Sequence, residues 1–157
     1  MMIRSLTRLA MMVLVFSVLP VVAAHAADRG KEGVVAVVQG AIEYYKANGQ
    51  AKTLALLSTK DNQFGKGEAY VDVHDLNGVC LAHPNTPGII GISRLDQADP
   101  KGKFVYREIA DAVKAGKKSG WIDYVRKNPV EGKMENKTAY WELYDNLIFK
   151  AGIYALQ

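Results

Sequence analysis

Two short β-forming runs, Tyr70-Val71-Asp72-Val73-His74-Asp75 and Val79-Cys80-Leu81-Ala82-His83, enclose Leu76-Asn77-Gly78. An Asn-Gly pair between apolar runs tolerates the left-handed backbone that a tight turn needs, so this stretch folds as a hairpin. Pro84 ends the second run, because proline cannot donate to a strand ladder and restricts the residue before it. The His83 imidazole is thereby fixed at the mouth of a strand. Along the first strand Val71 and Val73 fall on one side, and Tyr70, Asp72 and His74 on the other. That second side is too polar for an ordinary core, so it either faces solvent or borders a wet cavity.

Helices precede the hairpin. Between Lys31 and Asn48 the residues Val34, Val35, Val38, Ala41, Ile42 and Tyr45 recur at helical spacing, with Val37 and Tyr44 widening the stripe. Asn48-Gly49 stops this helix, and a shorter one is expected from Ala51 to Ser58. Phe64, in the turn-rich stretch that follows, is expected to plug the core. After the hairpin, His83 to Lys103 is too long for a simple connection. Its Ile89, Ile90, Ile92 and Leu95 are expected to pack it down as a lid. Phe104 to Ala115 reads as a helix stopped by Gly116. Three strands then follow, Gly120–Arg126, Thr138–Tyr144 and Leu147–Ala155, with turns at Asn128–Lys133 and Asp145-Asn146. This order gives an α+β domain: one antiparallel sheet of about five strands, with helices packed on it.

The first 26 residues read as a leader. Arg4 and Arg8 form a positive start, Ala10 to Ala24 is nearly all apolar, and Ala24-His25-Ala26 presents small residues at the cleavage positions. Its apolar core of about 15 residues falls short of the ~20 that span a bilayer. Cleavage after Ala26 would leave one exported domain over 27–157 in the periplasm. Without Arg4 and Arg8, the 20 basic residues exceed the 16 acidic ones by only two, and nucleic acid is not expected as a partner. Cys80, the single cysteine, alternates with apolar neighbours and reads as a small buried hydrophobe. His74 and His83 have no metal-ligand spacing around them, so neither metal nor cofactor is expected.

The residues Gly49-Gln50-Ala51-Lys52-Thr53-Leu54-Ala55-Leu56-Leu57, Phe64, Tyr70-Val71, Asp75-Leu76-Asn77-Gly78 and Leu81-Ala82-His83-Pro84 carry a family resemblance. Asp99-Pro100-Lys101-Gly102-Lys103, Arg107-Glu108-Ile109 and Gly120-Trp121-Ile122-Asp123-Tyr124 continue it. Asn128-Pro129, Gly132-Lys133, Lys137-Thr138-Ala139-Tyr140 and Ala151-Gly152-Ile153-Tyr154 complete it in order. From Val34 to Tyr154 the chain resembles the single Cache domain family, in its type 2 branch. The resemblance implies a PAS-like antiparallel sheet with a long N-terminal helix, in an extracytoplasmic sensor of small organic molecules, frequently short-chain carboxylates. Such domains usually sit in chemoreceptors and sensor kinases. Here a cleavable leader stands in place of the first membrane helix and the chain ends at Gln157, so the expectation is a solo secreted domain. Its message would then pass through a membrane receptor or sensor kinase.

A carboxylate needs charge-assisted donors and an apolar wall. The resemblance points to His83, Arg107, Trp121, Tyr124, Lys137 and Tyr140, and Arg126 is this chain's own candidate, standing where the family often has an aromatic residue. Each has a plainer role open to it. His83 either touches ligand or donates to a loop carbonyl, Arg107 is solvated on its helix, and Trp121 belongs to the core. Arg126 either faces the site or joins Lys127 and Lys133 in an exposed basic turn. Lys137 reaches over the rim from the start of its strand. Trp121 and Tyr124, and likewise Lys137 and Tyr140, point to opposite faces of regular strands. Binding of a small carboxylate, in a sensory role without catalysis, is the leading expectation. A module that docks or forms a homodimer through the Val34–Tyr45 helix stands second, and a small periplasmic hydrolase using His83 with Asp75 or Asp123 third.

Overall fold

Helix α1 (Lys31–Asn48) buries Val34, Val38, Ala41, Ile42 and Tyr45, a single stripe at helical spacing. In this computed structural model, which describes residues 30–154, that stripe lies on one face of the main sheet. The leader read over 1–26 lies outside the described residues. Helix α2 (Gln50–Leu57) follows, then the two-residue strands β1 (Gly65–Lys66) and β2 (Ala69–Tyr70). The hairpin is β3 (Asp72–Asp75) and β4 (Cys80–Ala82). Helix α3 (Val105–Lys114) leads into the long strands β5 (Ser119–Lys127), β6 (Met134–Tyr144) and β7 (Leu147–Tyr154). The sheet is antiparallel in the order β4-β3-β7-β6-β5, the α+β arrangement expected. Last in sequence, β7 lies at the centre, where its near-continuous apolar run is covered on both faces.

Two cores result. Against α1 sit Val71, Val73, Tyr140, Phe149 and Ala151, with Phe64 plugged in beside them as expected. On the opposite face α3 sets Val105, Tyr106 and Ile109 against Ile122, Tyr124, Ala139, Trp141 and Ile148. Asp145 and Asn146 turn β6 into β7 with φ of 50° and 60°, the paired left-handed residues of a two-residue hairpin loop. Strand β6 begins four residues before the expected Thr138, because the β5–β6 ladder stays paired out to Lys127 and Met134. Lys137 is therefore inside the ladder and buried, not at a strand's start with its stem over the rim.

The long loop is not held as expected. Leu95 packs against the second core, but Ile90 and Ile92 are 38% and 52% exposed. Backbone bonds hold this stretch instead: Gly91 N–H donates to Cys80 O (2.8 Å), Cys80 N–H to Ile92 O (3.1 Å), and Arg94 N–H to Gly78 O (2.9 Å). The loop so covers the open edge of β4 and turns Arg94 inward. At the hairpin tip Gly78 has φ of 70°, and a Cβ there would lie 2.8 Å from Leu95 Cγ. Gly78→Ala is expected to lower stability by about 1–3 kcal/mol in urea unfolding. An unchanged midpoint would mean that turn and loop yield freely.

Candidate functional site

Strand register assembles the site. Asp72 on β3 pairs with Lys150 on β7, and Lys137 on β6 pairs with both Tyr124 on β5 and Tyr154 on β7. Alternation then puts Asp72, His74, Tyr124, Arg126, Lys137, Lys150 and Tyr154 on the face away from α1. Tyr70, His83, Arg94 and Tyr106 close over them from β2, the hairpin end, the loop and α3. The polar side of the first hairpin strand borders this site rather than solvent, since Asp72 and His74 are both buried.

At the centre the Lys150 ammonium donates to Asp72 Oδ2 (2.8 Å) and to the Tyr124 hydroxyl (3.1 Å). Because the Tyr124 oxygen accepts there, its own proton remains available to another acceptor. Burial works against both charges of the pair, but mutual attraction wins. It raises Lys150 well above the usual lysine range and holds Asp72 well below the usual carboxylate range. His74 lies under the Tyr106 ring (4.3 Å), with Nδ1 3.1 Å from Asp72 Oδ1 but off the hydrogen-bonding direction. Burial lowers its pKa.

Lys137 is the unusual group. Its Nζ stands 4.0 Å from the Tyr70 ring centre and 4.7 Å from that of Tyr154, with no carboxylate in ion-pair reach among the described residues. Burial and then the Lys150 charge hold its pKa well below the ordinary lysine value. Arg126 adds another cation two residues along from Tyr124 on the same face. It lines two clefts at once. One, of 350 Å³, is bounded by Arg94, Tyr106, Tyr124 and Arg126. The other, of 990 Å³, is bounded by Tyr70, Pro84, Asn85, Arg126 and Met134. Four cations, at Arg94, Arg126, Lys137 and Lys150, thus converge on a single buried carboxylate, Asp72. Such an arrangement attracts an anion.

His83 is held differently from the structural role read for it. Its Nδ1 accepts the backbone N–H groups of Asn85 (3.2 Å) and Thr86 (3.1 Å), rather than donating to a loop carbonyl. Burial lowers its pKa to about 3, so the ring is neutral near pH 7 with its proton on Nε2. It packs against Tyr70 at 5.0 Å.

His83, Tyr124, Arg126 and Lys137 are therefore brought together, and Arg107, Trp121 and Tyr140 are not. Arg107 pairs with Asp96 on the outside of α3 and covers the Phe104 ring at 4.4 Å. Trp121 and Tyr140 are register partners on the α1 face, their rings 5.3 Å apart. Strand alternation carries both away from the clefts, and Trp121 is 40% exposed rather than core. Sequence reasoning missed Lys150, Arg94 and Tyr106, and did not single out Tyr70 or Asp72. A lone lysine in Leu147-Ile148-Phe149-Lys150-Ala151 was a readable signal, since an interior strand keeps a charge only opposite a partner. Cys80 is buried, with its thiol pushed up to about 12 chiefly by burial, and is inert as expected of a small hydrophobe. Among the described residues no group of three His, Cys, Asp or Glu side chains could hold a metal ion, and no helix is long and apolar enough to cross a membrane.

Residues 33–148 match the family model described as Single Cache domain 2. A methyl-accepting chemotaxis protein from Vibrio parahaemolyticus RIMD 2210633 shares the fold at 21% identity and a TM-score of 0.65, over 79% of this chain and 87% of that one. A structure described as the basis for carboxylic acid recognition by a Cache chemosensory domain is 25% identical, with a TM-score of 0.64 over 80% of this chain and 92% of that one. The periplasmic sensor domain of a chemotaxis protein aligns at 22% identity and a TM-score of 0.60, over 80% and 90% of the two chains. No curated protein matches.

Proposed function

The chain belongs to the single Cache domain 2 family, and on that premise we propose that it is a sensory domain that binds a small carboxylate in the cation-rich clefts of its sheet. One observation carries this reading: Arg94 and Arg126 line open clefts on the sheet face that also buries Lys137 and Lys150 with a single buried carboxylate, Asp72. Arg126 meets the ligand at the junction of the clefts. The Tyr124 hydroxyl and the His83 Nε2–H supply neutral donors, and Lys137 receives the carboxylate beneath the Tyr70 ring. The carboxylic acid recognition described for the 25% identical relative supports the ligand class. The leader read at 1–26 supports export to the periplasm. The bound state then passes to a membrane receptor or sensor kinase, or to a second copy through α1. The reading is one of binding, not turnover.

Thermal denaturation against short-chain acids, each beside its uncharged amide, tests this. At about 100 times its dissociation constant an acid should stabilise by about 2.7 kcal/mol, which raises the melting midpoint by several degrees. The amides should do nothing, and Arg126→Gln should lose the response. A panel in which no acid shifts the midpoint, or amides match acids, overturns the proposal.

A further inference from the structure

The cations divide into two poles. Lys150 is neutralised by Asp72 at 2.8 Å, and Lys137 lies on the same side of the cluster, over the Tyr70 and Tyr154 rings. The second pole is made by Arg94 and Arg126, which line the 350 Å³ cleft together with Tyr106 and Tyr124. Arg94 is only 6% exposed, and its Nε has no hydrogen-bond partner. The Tyr106 ring lies 5.9 Å from its guanidinium. Neither arginine has a carboxylate in ion-pair reach among the described residues. Two guanidiniums turned into one cleft repel each other and lose hydration, and the nearest carboxylates, Asp72 and the cross-strand Glu135 opposite Arg126, form no ion pair with either of them among the described residues. Arg126 projects from β5 two residues beyond Tyr124, whose register partner is Lys137, so the poles originate about 7 Å apart along the strands. A ligand with one carboxylate satisfies one pole and leaves the other bare.

We infer that the site is built for a short aliphatic dicarboxylate, one carboxylate held at Lys137 and the other by the Arg94–Arg126 pair. This rests on the carboxylate reading above and adds a second anionic group to it. The fork of a guanidinium matches a carboxylate through two parallel N–H bonds, and here Arg94 brings an unused N–H to the cleft. The rings of Tyr106 and Tyr124 flank the carbon chain between the two ends. The loop that covers β4 thus also serves the ligand, because its bond from Arg94 N–H to Gly78 O fixes the backbone from which that guanidinium enters.

Titration calorimetry on the whole exported domain separates the possibilities, with succinate and glutarate compared against butyrate and pentanoate. The dicarboxylate is expected to bind at least about tenfold tighter than the monocarboxylate of equal chain length, a difference of about 1.4 kcal/mol. In Arg94→Gln that ratio should collapse toward one. The wild-type ratio decides the matter even should the variant fold poorly. Equal affinity, or tighter monocarboxylate binding, overturns the dicarboxylate inference and leaves the carboxylate reading standing. No binding by either class overturns both.

Discussion

Lys150→Met is expected to lower folding stability by about 3–5 kcal/mol, the scale of breaking one side of a buried ion pair. The loss arises from what remains. Asp72 is 2% exposed, and without the ammonium at 2.8 Å its charge stays buried against the weaker help of His74. Urea unfolding with the midpoint and slope both measured gives the value. Asp72→Asn should cost a similar amount by stranding Lys150. The double variant Asp72→Leu/Lys150→Met should recover most of the loss, since apolar groups of like volume often replace a buried pair without penalty. A single substitution that costs under about 1 kcal/mol would place the pair in water-like surroundings, contrary to its burial.

Acid should weaken the fold through His83. The folded ring has its pKa lowered to about 3, first by burial, against 6.5 when exposed. Between those values the unfolded chain binds a proton that the folded one refuses, so stability falls as pH drops below about 6.5 and continues to fall toward 3. At pH 4 the loss from this residue is about 3 kcal/mol relative to neutral pH. His74, also lowered by burial, acts in the same direction. Asp72 is held low by Lys150, so its contribution persists at pH 4 and disappears only in stronger acid. Unfolding of wild type and His83→Gln at pH 7.5 and pH 4 isolates the effect: the variant keeps a side-chain acceptor for Asn85 and Thr86 and should show the smaller loss. Equal losses would mean that His83 titrates freely in the folded protein.

Local signals carried most of the fold. The α1 stripe, the Asn77-Gly78 turn and the Asp145-Asn146 turn were each set by residues adjacent in sequence, and each formed where their chemistry placed it. The site is different in kind. Tyr124, Arg126 and Lys137 were legible because strand alternation and the β5–β6 hairpin fix their common face. The same rule, applied to Trp121 and Tyr140, already sent them to the other one. Asp72 and Lys150 are 78 residues apart, and their pairing depends on β7 inserting between β3 and β6, which no local pattern states. Arg94 was hidden for another reason. Its direction comes from backbone bonds between an irregular loop and β4, so isoleucine content misled where main-chain hydrogen bonding decided.

Ligand binding and stability make opposite demands on Lys137. Its ammonium is buried between two tyrosine rings without a carboxylate, and it weakens the empty protein while waiting for an anion. A lowered lysine pKa means that the folded state binds fewer protons than the unfolded one, so this penalty relaxes as pH rises toward 10.5. The most direct measurement is a thermal titration of wild type and Lys137→Met, side by side, with the acid that gives the largest shift. The variant should melt at or above the wild-type midpoint without ligand and should not respond to the acid at concentrations that stabilise wild type by several degrees. A variant that melts lower without ligand, or that follows the acid as wild type does, would contradict the assignment of this buried ammonium to the ligand.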